Sequence, residues 1–125
     1  MPPTILIIDD ETDLADTYAR LLKAVGFDCV VAYRMEDAIS LFDERKPDIV
    51  LSDITLPTGD GFEIARYVRQ KSPQTPVILM TGYHSAKAET EAHQLANRYL
   101  KKPFPNSELI STIKALAAQA GGRPA

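Results

Sequence analysis

The chain has 125 residues, 17 acids against 14 bases, a net charge of −3 and 45% apolar residues. This suits one globular domain, long enough to bury a core without staples and too short for a second domain of usual size. The mild acidity argues against a general nucleic-acid binder, and no apolar run approaches the ~18–20 residues that span a bilayer.

The start, Met1-Pro2-Pro3-Thr4, lacks the basic region and long apolar stretch of a signal peptide. Cys29 is the only cysteine, so an internal disulfide or a cysteine metal cluster is excluded. A lone thiol, read as a small core hydrophobe, suits the reducing cytoplasm.

In chain order, short apolar runs alternate with helical patterns. Ile5–Ile8, Cys29–Ala32, Ile49–Leu51, Val77–Met80 and the weaker Tyr99-Leu100 are continuous and rich in branched residues. That is the texture of parallel strands covered on both faces. Between them, Leu14, Leu21, Leu22 and Val25 predict a helix over about 12–25, stopped by Gly26. Ala38, Leu41 and Phe42 mark a second, closed before Pro47. Phe62, Ala65, Val68 and Arg69 mark a third, ending near Ser72-Pro73. The segment from His84 to Ala96 is helix-compatible but offers only Leu95 and the alanines 88, 92 and 96 to a core, so it is expected to be weakly held. Leu109, Ile110, Ile113, Leu116 and Ala117 mark the last.

Five strand–helix repeats predict an α/β, doubly wound (βα)5 three-layer sandwich with a flavodoxin-like parallel sheet of order 2-1-3-4-5. Charged Asp28, Arg98 and Lys101 suit strands two and five as edges. Residues 1–120 form the expected domain, and 121–125 a tail or the start of a linker.

Such sheets bind ligands beyond the carboxyl ends of their strands. There this sequence places Asp9, Asp10 and Glu11, then Ser52 and Asp53, then Thr81, then Lys101, Lys102 and Pro103. Two like charges ~4 Å apart repel by about 4 kcal/mol at an effective dielectric of 20. Lys102 offsets one charge, and a divalent ion with all-oxygen ligands, Mg²⁺, would balance the rest. Glu11 and Asp13 are read instead as helping the first helix's N-terminus. A carboxylate, a metal, a hydroxyl and a lysine suit phosphoryl transfer, with Asp53 as nucleophile, Asp9 and Asp10 holding Mg²⁺, and Thr81 and Lys102 on the phosphoryl oxygens.

At this point the chain resembles the receiver domains of two-component response regulators, a CheY-like family. The resemblance rests on ILIIDDE at 5–11, DIVLSDITLPTGDG at 48–61, VILMTG at 77–82 and YLKKPF at 99–104. It implies that Asp53 accepts a phosphoryl group from the phosphohistidine of a sensor histidine kinase or phosphotransfer protein. It implies Mg²⁺ on Asp9, Asp10, Asp53 and the backbone carbonyl of Thr55, and Thr81 with Lys102 as the phosphate-sensing pair. It further implies a cis Lys102-Pro103 peptide, and Tyr99 as a switch aromatic that moves from an exposed position when Thr81 shifts. The protein is then a signalling phosphoacceptor, not an enzyme acting on other substrates. The cognate kinase and output are not readable. Kinase recognition is expected around Asp13–Arg20. The last helix, with Lys114 its only base, lacks the charge pattern of a salt-bridged dimer, and the chain is expected to be a monomer or a phosphorylation-dependent dimer. With no room for an effector domain, the chain is expected to be a stand-alone regulator or a portion of a longer one.

Two departures from the family pattern stand out. Leu95-Ala96 replaces a frequent Gly-Ala. Thr58-Gly59 occupies a place often filled by a larger apolar residue, which predicts a looser loop after Asp53. The resemblance also puts Thr55 and Tyr83 at positions that tune phosphoryl lifetime in the family, and Tyr83 is expected to shield the acyl phosphate from water. Rival readings fail on the residues. A haloacid-dehalogenase-type phosphatase needs an Asp where Thr55 stands. A dinucleotide fingerprint at Gly59-Asp60-Gly61 lacks its third glycine, position 64 being Ile64. His84 and His93, nine apart, do not suit one metal site, and the complete Asp9, Asp10, Asp53, Thr81 and Lys102 set argues against a degenerate, binding-only receiver.

Overall fold

The computed structural model describes residues 2–82 and 86–121, with the side chains of 120 and 121 excepted. Ten elements alternate: β1 (Thr4–Ile8), α1 (Thr12–Ala24), β2 (Asp28–Ala32), α2 (Met35–Arg45), β3 (Ile49–Asp53), α3 (Gly61–Lys71), β4 (Val77–Thr81), α4 (Ala86–Leu95), β5 (Arg98–Lys101) and α5 (Asn106–Gly121). All strand pairs are parallel, in the order β2-β1-β3-β4-β5 predicted from the sequence. The charged strands lie at the two edges.

The continuous apolar runs have a simple cause. On one face Ile5, Ile7, Leu51, Ile78 and Met80 meet α1 and α5 through Ala15, Leu22, Leu109 and Ile113. On the other, Leu6, Ile8, Val50 and Leu79 meet α2, α3 and α4 through Ala38, Phe42, Ala65, Val68 and Ala92. Successive strand residues point to opposite faces, so a strand covered twice must be apolar at every position. Burying each large aliphatic side chain contributes about 1.5–3 kcal/mol. These two layers make the central strands a rigid platform.

Helix ends follow local chemistry. Asp60 caps α3, its Oδ1 accepting from Glu63 N at 2.9 Å. Lys46 takes a left-handed conformation (φ 47°) to close α2 before Pro47. Val25, expected on the apolar face of α1, instead follows the helix as its C-cap and is 37% exposed. Leu95 and Ala96 pack against the second apolar layer, and Ala96 N closes α4 on Ala92 O at 2.8 Å.

Register places the site. Ile8 pairs with Ala32 and Ser52, so β1 and β3 end side by side, with Asp9 and Asp53 next to each other at the rim. Thr81 pairs with Lys101 one strand further on. Ser52, expected beyond the third strand, lies inside β3 and is buried, its hydroxyl donating to Asp53 O at 2.9 Å.

Among the described residues of α4, only Ala92 is buried. An alanine removes little apolar surface, so α4 opens at lower free energy than α1 or α5. Amide hydrogen exchange should show α4 amides exchanging at least about tenfold faster than those of α1. Equal protection would mean that α4 is held by something other than its apolar face.

Candidate functional site

The loops after β1 and β5 and the last residues of β3 and β4 deliver the polar groups. Asp9, fully buried, turns its carboxylate inward: Oδ1 accepts from Glu11 N at 3.0 Å and Oδ2 from Lys102 Nζ at 2.8 Å. Asp53 ends β3, its Oδ1 accepting from Thr55 N at 3.1 Å and its Oδ2 from Lys102 Nζ at 2.9 Å. One ammonium, its side chain 12% exposed, thus bridges two carboxylates. Lys102 itself is fixed by its backbone: Lys102 N donates to Thr81 O at 2.8 Å, and the bond to Pro103 is cis.

Asp10 is exposed on the same rim. One carboxylate oxygen from each of Asp9, Asp10 and Asp53 lies within 4.8 Å of the others. Hard oxygen donors converging in this way fit Mg²⁺, whose preferred ligands are carboxylates, carbonyls and water. Thr81 closes β4 and is buried beside them. The structure therefore brings together Asp9, Asp10, Asp53 and Lys102, with Thr81 on the adjoining strand end. Glu11 sits at the N-cap of α1 without a side-chain capping bond; Asp9 covers its N–H instead.

Electrostatics oppose each other here. Burial pushes the Asp53 carboxyl above its ordinary pKa, against the pull of Lys102 and the Thr55 N–H. Burial alone would lower the Lys102 ammonium, but its hydrogen bonds to Asp9 and Asp53 outweigh that and raise it. Lys102 is therefore charged at neutral pH. Elsewhere, burial pushes the thiol of half-buried Cys29 up to about 11, so it stays protonated at neutral pH.

Two findings go beyond the sequence reading. Tyr18 of α1 is buried and stacks on Phe104, two residues after Lys102, with ring centroids 5.8 Å apart. Burial pushes its hydroxyl up to about 12, with Lys102 opposing and Asp9 and Asp53 reinforcing. Its place four residues after Leu14 on the apolar face was the available signal. Tyr99 is not exposed as expected. Its ring is half-buried, edge-on to His93 at 5.6 Å, and its hydroxyl is covered without a hydrogen-bond partner among the described residues. Tyr83, assigned a shielding role, lies outside the described residues, as does His84.

The raised Asp53 pKa has a definite consequence for stability. An acid whose pKa is higher folded than unfolded binds more protons when folded, so stability falls as pH climbs from 3.8 through the raised value. Asp53→Asn removes that loss. The variant should be more stable than wild type at neutral pH, with the advantage shrinking below the ordinary carboxylate pKa. Urea unfolding at both pH values checks this; an Asn variant less stable than wild type at neutral pH contradicts it.

The family described as "Response regulator receiver domain" matches residues 5–114. A CheY-like receiver domain protein from Methanospirillum hungatei superposes with a TM-score of 0.92 at 26% identity, over 98% of this chain and 100% of that one. A two-component response regulator from Clostridium difficile gives 0.89 at 27% identity, over 94% and 98%. The BeF3-activated receiver domain of DrrB, from Thermotoga maritima, gives 0.87 at 26% identity, over 94% and 99%. No helix among the described residues is long and apolar enough to cross a membrane. With the match spanning nearly the whole chain on this sheet order, the chain belongs to the response regulator receiver domain family and is the receiver domain of a two-component response regulator.

Proposed function

We propose that Asp53 is the phosphoacceptor of a cytoplasmic two-component phosphorelay. The observation that carries this reading is the Lys102 ammonium held 2.8 Å from Asp9 and 2.9 Å from Asp53, with Asp10 on the same rim. The likeness to a receiver domain solved in a BeF3-activated form adds support.

The Asp53 carboxylate attacks the phosphorus of a phosphohistidine on a sensor kinase or phosphotransfer protein. The P–N bond breaks and an acyl phosphate forms. Asp9, Asp10, Asp53 and the Thr55 backbone carbonyl are the groups that would hold Mg²⁺. When bound, it neutralises charge on the phosphoryl oxygens and among the carboxylates. Lys102, already protonated, gives up its contact with Asp53 and pairs with a phosphoryl oxygen, while the Thr81 hydroxyl donates to another. Burial that keeps Asp53 basic favours its role as nucleophile. The protein's own chemistry ends with its phosphorylation and dephosphorylation.

The switch reading of Tyr99 gains a physical motive. A covered hydroxyl with no partner costs on the order of 1–3 kcal/mol. Tyr99 on β5 and the weakly buried α4 are therefore the elements that repack when Thr81 is drawn toward a phosphoryl oxygen. The changed surface would then meet a separate effector or a second copy.

Incubation with Mg²⁺ and acetyl phosphate, read by intact mass, should add one hydroxylamine-labile phosphoryl group. Asp53→Ala should show none, and Lys102→Met and Asp10→Asn should label more slowly. No mass gain by wild type would favour a binding-only receiver, and turnover of many phosphate esters would favour a phosphatase.

A further inference from the structure

The loop between β3 and α3 carries Thr55 beside Asp53, and both of its ends are pinned. At the start, Ile54 N donates to Met80 O at 2.9 Å and Thr55 N to Asp53 Oδ1 at 3.1 Å. At the end, Gly61 N donates to Ile54 O at 2.8 Å, and a Cβ on Gly61 would lie 2.5 Å from Asp53 O. Thr55 and Asp60 form an antiparallel bridge that pinches 56–59 into a short excursion.

The middle of that excursion is gripped by a different element. Gly59 sits at φ +95°, and a Cβ there would run into the Sδ and Cε atoms of Met35, the first residue of α2. The next residue, Glu36, accepts a hydrogen bond from Thr58 Oγ1. Two consecutive residues of α2 thus hold two consecutive residues of the loop. Met35 is half-buried and packs against the apolar layer on that face of the sheet, so it ties the loop to the core. Arg34, with its guanidinium 4.0 Å from Glu36, sits beside the same contact.

We propose that Met35 and Glu36 are positioning residues for the phosphoacceptor site: through Gly59 and Thr58 the start of α2 sets where the Thr55 backbone stands beside Asp53. This rests on the reading of Asp53 as phosphoacceptor. The loop supplies no side chain at position 59 to pack itself down, and a thioether from α2 fills the place. A flexible, unbranched side chain suits such a contact, since it can follow a glycine backbone closely. The hydrogen bond from Thr58 adds direction that apolar packing lacks. The clasp also joins the site to an element on which the sheet and the loop both lean.

The test compares wild type, the double variant Met35→Ala/Glu36→Ala, and the conservative pair Met35→Leu/Glu36→Gln. Leucine refills the space over Gly59, and glutamine still accepts from Thr58. In the alanine pair, amides of residues 55–60 should exchange roughly tenfold faster while those of β1 and β3 keep their protection. Labelling of Asp53 by acetyl phosphate at saturating Mg²⁺ should slow by about tenfold, the scale on which small misplacement of reacting groups acts. The conservative pair should restore both. Unchanged exchange at 55–60 overturns the clasp. Faster exchange with unchanged labelling overturns the positioning role and leaves only a structural contact. Should wild type itself fail to label, the Asp53 reading falls separately, and Mg²⁺ affinity by calorimetry decides the inference: weaker binding in the alanine pair, restored in the conservative pair, supports it, and equal binding overturns it.

Discussion

One ammonium between two buried carboxylates is the contact on which the rest of the structure depends. Lys102 lies 93 residues from Asp9 and 49 from Asp53 along the chain, yet its Nζ reaches both within 2.9 Å. Taking such charges out of water costs several kcal/mol per ion unless geometry and hydrogen bonds compensate. Compensation requires the ends of β1, β3 and the β5–α5 loop to hold position to within a few tenths of an ångström. The two apolar layers do this. Fully buried Ile5, Ile7, Leu51, Ile78 and Leu79 leave the central strands no freedom to slide, because a shift in register would misplace every side chain on both faces.

That rigidity has a cost which is also the site's chemical asset. Burial raises the Asp53 carboxyl above its ordinary range although a lysine touches it. A chain selected for stability alone would place an amide or an apolar group there. Retaining an acid at a position that penalises its ionised form is expected where that acid has work to do. Asp10 is exposed and stands within reach of the other two carboxylates.

The sheet and its order were legible because parallel strands covered on both faces leave a local trace: unbroken branched apolar runs, with charge admitted only on the edge strands and at the carboxyl ends. Asp9, Asp10, Asp53, Thr81 and Lys102 were legible for a related reason, since topology alone sends every strand's C-terminal end to one rim. What escaped depends on contacts between distant residues that have no periodic signature. Position 59 reads as a missing side chain, and a looser loop follows; the fold supplies Met35 from α2 instead. Tyr99 reads as an exposed aromatic on an edge strand, but α4 runs close enough for His93 to meet its ring and for its hydroxyl to be covered. Tyr18 is one more apolar-face residue until Phe104 is seen to stack on it.

These differences sort the site into two halves of unlike mechanics. One half, comprising the ends of β1 and β3 together with Lys102, rests on fully buried aliphatic packing and charge-assisted hydrogen bonds. The other half, comprising α4 and Tyr99, rests on smaller contacts: one buried alanine with Leu95 and Ala96 beside it, the exposed Arg66–Glu91 ion pair at 2.7 Å, and a phenol hydroxyl with no hydrogen-bond partner among the described residues. A receiver needs both. On the proposed reading, a group added at Asp53 changes the surface only if some contacts nearby are weak enough to exchange, and it is accepted only if the carboxylates and the lysine do not move apart first. Contacts of about 1 kcal/mol yield to a new charge-assisted hydrogen bond, whereas a packed core does not. The division between strong and weak contacts runs through the site itself, with Asp53 and Thr81 standing on the boundary.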